Sequence, residues 1–77
     1  MAMKRYIDRD NDSGVAFYDY GPGWIHVQFD TGATYEYTDA SAGSHHISTM
    51  QRLADTGDGL NRYINLHVKK GYARKRS

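Results

Sequence analysis

Five positive charges crowd into the eight residues from Lys69 to Arg76, carried by Lys69, Lys70, Arg74, Lys75 and Arg76. Tyr72 stands among them. Lysine and arginine neutralise phosphates and release counterions, and an aromatic ring can stack on a base. The combination is suited to nucleic acid, with Arg62 a further cation toward the same end. The plain alternative is a solvated tail that touches nothing.

A second set is aromatic: Tyr18, Trp24, His26 and Tyr63. Aromatic anchors dominate protein interfaces, so these residues suit a protein contact. Trp24, His26, Gln28, Thr34 and Glu36 fall on one face of two alternating strands, joined by Ala16 or Tyr18 from the strand before. Such a face can stack single-stranded RNA, but Glu36 and Asp30 would repel phosphate there.

Other chemistries find less. His45 and His46 are adjacent, so on a helix they point about 100° apart rather than sharing a face. No metal or other cofactor is expected. Ser41, Ser44 and Ser48 near the His pair lack the fixed third group of a triad. Gly57-Asp58-Gly59 lacks the Lys and Ser/Thr of a phosphate-binding loop. An enzyme is therefore not expected.

These residues need elements to hold them. The chain has 77 residues, enough for one domain whose core is small. Seven Tyr, two Phe and one Trp supply much of the apolar volume, so each buried hydroxyl must find a partner or water. There is no cysteine, so neither a disulfide nor a thiolate site is available. That fits a reducing, cytoplasmic setting. No apolar run reaches membrane-span length, and the charged start Met-Ala-Met-Lys-Arg-Tyr is not a signal-peptide pattern. Asn11-Asp12-Ser13 reads as a turn rather than a glycosylation site. Charge is uneven: residues 1–38 carry three bases against six acids, and residues 39–77 carry seven against three.

Three strands are predicted. Val15 to Tyr20 is β-branched and aromatic; Gly21-Pro22-Gly23 breaks it. Trp24 to Phe29 alternates Ile25, Val27 and Phe29 with His26 and Gln28. Asp30-Thr31-Gly32 turns the chain into Ala33 to Thr38. A three-residue loop with Gly32 at its left-handed position pairs Phe29 with Ala33, Val27 with Tyr35 and Ile25 with Tyr37. Both tyrosines then join the apolar face. After Asp39 to Gly43, Ser44 is a candidate cap for a helix carrying Ile47, Met50, Leu53 and Ala54. His46 should be half-buried and His45 solvated. Gly57 and Gly59 suit its end. A short helix is possible over Leu60 to Val68, with Leu60, Ile64 and His67 or Val68 inward. Asn61 is a candidate cap for it.

The aromatic strand pair, the hairpin Phe29-Asp30-Thr31-Gly32, Tyr35-Glu36-Tyr37 and Gly59-Leu60-Asn61-Arg62-Tyr63-Ile64 occur in an order that resembles the KTSC domain. The likeness runs from about Val15 to Tyr72. That small domain stands alone in bacteria and phages and at the C-terminus of some lysyl-tRNA synthetases. The resemblance implies a strand meander followed by a helix, and a role in RNA binding. It supplies no catalytic residue. The acidic N-terminal arm and His45-His46 depart from it.

The expectation is an α+β fold: a three-stranded antiparallel meander, one main helix on its Ile25/Val27/Phe29/Tyr35/Tyr37 face, and a short C-terminal helix. Residues 1–13 form a polar arm, 14–68 the domain and 69–77 a mobile basic tail. The expected partner is RNA or another nucleic acid, with no membrane. A protein-interaction module, phage-encoded and acting on a host protein, is the alternative.

Overall fold

A computed structural model describes residues 3–7 and 14–75. The fold is α+β. A sheet with strands in sequential order lies against a helical layer. The strands are β1 (Lys4–Arg5), β2 (Val15–Gly21), β3 (Trp24–Phe29), β4 (Thr34–Thr38) and β5 (Arg74–Lys75), all antiparallel to their neighbours. Among the described residues the sheet thus has five strands rather than the predicted three. The two additions are edge strands of two residues each, too short to carry an apolar alternation. Short, charged edges also resist pairing with other chains.

The register of β3 and β4 is the one that the three-residue loop demands. Ile25 pairs with Tyr37 and Val27 with Tyr35. The Phe29 amide donates to the Ala33 carbonyl at 2.9 Å. Gly32 closes the turn at φ 96°, in the left-handed region that favours glycine. Ile25, Val27 and Tyr37 are buried, and Phe29 and Tyr35 pack against them half-buried.

Strand β2 departs from simple alternation. A bulge between Val15 and Phe17 sets Val15 opposite Phe29 but Phe17 opposite Gln28. The extra residue reverses the parity of everything after it. Tyr18 and Tyr20 therefore face the core side, opposite Val27 and Ile25, while Phe17 and Asp19 share the other face with Gln28 and His26. Tyr18 is buried, so it is unavailable to the polar face or to a surface contact.

The segment before the predicted helix is itself helical. Helix α1 (Asp39–Ala42) starts from a capping box: the Ser41 amide donates to Thr38 Oγ1 at 3.1 Å, and the Thr38 amide donates to Ser41 Oγ at 3.0 Å. Gly43 then turns the chain into α2 (Ser44–Thr56). Ser44 lies inside that helix, and its cap position belongs to Gly43. Ile47, Met50 and Ala54 are buried, as their spacing predicts, with Leu53 half-buried beside them. Gly57 ends the helix in the left-handed conformation, its amide donating to the Leu53 carbonyl.

Helix α3 (Leu60–Tyr63) passes into a π-helical segment (Ile64–Val68). Gly59, not Asn61, is the α3 cap. The wider π turn keeps Leu60, Ile64 and Val68 on one buried face and leaves His67 exposed.

Tyrosine hydroxyls reach partners at the margins of this core. Those of Tyr18 and Tyr20 both donate to the Asp55 carboxylate on α2, the former at 2.8 Å. The buried Tyr6 hydroxyl accepts from the Leu60 amide at 3.2 Å, tying the N-terminal segment to α3. Asp55 is held below its usual carboxyl range chiefly by the Tyr20 hydroxyl, with Tyr18 and Lys4 helping. No helix of the described residues is long and apolar enough to cross a membrane.

Replacing Tyr37 by Ala should cost about 3–5 kcal/mol, read from urea unfolding followed by circular dichroism. Burial pushes the Tyr37 hydroxyl up from 10.0 to about 12. A raised folded-state pKa favours the protonated form, so this contribution is complete below pH 10 and is lost as pH climbs from 10 toward 12. The unfolding midpoint should accordingly hold steady up to the lower bound and fall beyond it; in Tyr37→Phe the fall should be shallower.

Candidate functional site

The basic residues from Lys69 to Lys75 do not trail away from the domain. After the π-helical segment, Gly71 makes a close turn, its amide donating to the Val68 carbonyl at 2.8 Å. A Cβ there would lie 3.4 Å from that carbonyl and 3.5 Å from Ala42, in ordinary van der Waals contact with both. The chain then runs back along β4. The Ala73 amide donates to the Glu36 carbonyl, Arg74 pairs with Glu36, and Lys75 pairs with Tyr35.

This return seats Tyr72 on the Tyr-x-Tyr unit. Its ring lies edge-on to Tyr35 at 4.8 Å and to Tyr37 at 6.5 Å between centroids. Phe29 also meets Tyr35 edge-on, at 5.7 Å. The Lys75 ammonium sits 5.8 Å from the Tyr35 ring centre, within cation–π range. Tyr72 remains 41% exposed, so part of its ring is open to a ligand.

Beside these rings is a cleft of about 520 Å³. The tip of the β3–β4 hairpin forms one wall, with Phe29, Asp30, Thr31 and Ala33. The C-terminal helical end forms the other, with Ile64, Asn65, Lys69 and Lys70. Gly14, Tyr35, Tyr37 and Tyr72 complete the lining. Aromatic surface flanked by cations suits a planar, anionic ligand.

The predicted basic residues are thus divided. Lys69, Lys70 and Tyr72 line this cleft, and Lys75 lies over the ring of Tyr35, which also lines it. Arg74 turns to the opposite sheet face, where its Nε lies 3.6 Å from Glu36; His26 Nε2 is also 3.6 Å from that carboxylate. Arg62 is exposed on α3 and does not line the cleft. Arg76 lies outside the described residues, as does the turn expected at Asn11-Asp12-Ser13.

The second predicted set is dispersed. Trp24 and His26 do share a face, with ring centres 4.6 Å apart. The indole lies across Gly21, where a Cβ would come within 2.7 Å of it. Tyr18 points the other way, into the core. Tyr63 is in the helical layer, its hydroxyl 2.6 Å from His46 Nδ1 and its ring 4.5 Å from that of His67. His46 is half-buried and His45 exposed. Among the described residues no group of three His, Cys, Asp or Glu side chains is arranged to hold a metal ion.

The cleft's hairpin wall and Asn65 escaped sequence reasoning. Their only sequence signal is that Phe29, Tyr35 and Tyr37 share a face; what stands opposite them is set by tertiary packing. Comparison with family models, with curated proteins and with solved structures finds no match to any of the three.

Removing the Tyr72 ring uncovers Tyr35 and Tyr37. Tyr72→Ala should cost about 2 kcal/mol of stability, and Tyr72→Phe well under half of that, measured by urea unfolding of each variant.

Proposed function

We propose that this chain is a small binding domain without a catalytic role, which holds RNA or another nucleic acid through phosphate contacts on its basic C-terminal side. One observation carries the reading: Lys69 and Lys70 line one aromatic cleft with an exposed Tyr72, and Lys75 lies over the Tyr35 ring of the same cleft. Cations beside open π surface match the two chemical features of a polynucleotide, its phosphates and its bases. The resemblance of Phe29-Asp30-Thr31-Gly32 and Tyr35-Glu36-Tyr37 to the KTSC domain points the same way. The charge distribution agrees, because the half of the chain that forms the helices and β5 carries the excess of bases.

The contacts expected are mainly electrostatic, so affinity should fall steeply with salt. Replacing Lys69, Lys70, Arg74, Lys75 and Arg76 together by Gln should weaken binding of tRNA and of single-stranded RNA. For the single strand it should flatten the slope of log affinity against log salt by up to about 3.5. Filter retention between about 50 and 200 mM salt reads both effects. If the native chain retains neither RNA at the lower salt, the proposal fails. A pull-down from lysate with and without nuclease separates it from a protein-interaction module, whose capture would survive the nuclease.

A further inference from the structure

We infer that the cleft between the β3–β4 hairpin tip and the π-helical segment takes a single unstacked base of a nucleic-acid strand; this rests on the nucleic-acid reading above and specifies it. A domain that met only phosphates would need cations alone. Here Lys69 and Lys70 stand in the wall of a concavity whose other lining includes Phe29, Tyr35 and Tyr72. About 520 Å³ is within the range of small-molecule sites and is ample for one nucleotide. A base held in a duplex cannot enter such a recess, because both of its faces are already stacked. An extruded or single-stranded base can, and its π face is what the exposed Tyr72 ring accepts.

Charge sets the polarity of the bound nucleotide. Lys69 and Lys70 lie on the helical wall, and Asp30 lies on the hairpin wall. A carboxylate repels phosphate and accepts hydrogen from an exocyclic amine. The sugar-phosphate therefore lies toward Lys69 and Lys70, and the base edge points toward Asp30 and Thr31. Arg74 takes no part in the cleft, since it is turned to Glu36 on the other face of the sheet.

The test compares an eight-nucleotide single-stranded RNA with a blunt, GC-rich RNA duplex, both titrated into the native chain. Nuclear magnetic resonance follows the backbone amides of Ala33, Asn65 and Tyr72. The single strand should bind about tenfold more tightly than the duplex and should shift all three amides; the duplex should leave Ala33 unmoved. Tyr72→Leu keeps apolar packing but removes the π face. It should lower single-strand affinity about tenfold, with duplex affinity and the salt slope unchanged. Lys69→Gln with Lys70→Gln should weaken both probes. Salt-sensitive binding of both RNAs with equal affinity, and with Ala33 and Asn65 unmoved by the single strand, overturns the base site and leaves the phosphate reading standing. Binding of neither RNA overturns both.

Discussion

The pairing register of β3 and β4 is the constraint on which the rest of the molecule depends. Side chains alternate across a strand, so a slip of one residue would carry Tyr35 and Tyr37 to the face of His26 and Gln28. The three-residue loop prevents this by placing Gly32 at φ 96°, where a side chain would be strained. With the register set, Ile25, Val27 and Tyr37 form the floor of the core. Helix α2 covers that floor with Ile47, Met50 and Ala54. The same register leaves Tyr35 half-buried at the margin, where Tyr72 and Lys75 later arrive. Core and cleft are thus two parts of one apolar face.

A core rich in tyrosine imposes a second condition. Each ring contributes apolar area, but each buried hydroxyl must keep a hydrogen-bond partner. The partners tie separate elements together. Asp55 links α2 to β2 through Tyr18 and Tyr20, and the Leu60 amide links α3 to the N-terminal segment through Tyr6. His46 links α2 to α3 through Tyr63. In a chain with few large aliphatic residues, these bonds help to orient layers that packing alone would specify weakly. Tyr35 and Tyr72 lie at the opposite edge of the core, and there the aromatic surface opens into a cleft.

Much of this was legible in the sequence, and the failures have physical causes. Alternation in Trp24 to Phe29 and a turn with one suitable glycine sufficed for the central register. Helical spacing identified the buried face of α2. Tyr18 was misplaced onto the polar face because the bulge after Val15 shifts parity, and nothing in Val15-Ala16-Phe17 marks a bulge. Strands β1 and β5 have only two residues each, below the length at which alternation exists. Helix α1 is not evident in the sequence because Thr38 and Ser41 are turn residues as readily as a reciprocal cap. At the cleft, the density of bases brought Lys69, Lys70, Tyr72 and Lys75 into view. That Arg74 turns away follows from strand parity in β5, which depends on a pairing the local sequence does not encode.

The inward placement of both central tyrosines is tested most directly by nuclear Overhauser contacts from their ring protons. Cross-peaks from Tyr37 to the Ile25 methyls and from Tyr35 to the Val27 methyls are the predicted result. Rings that instead contact the His26 imidazole and the Gln28 side chain would contradict the register, and the core and the cleft would fall with it.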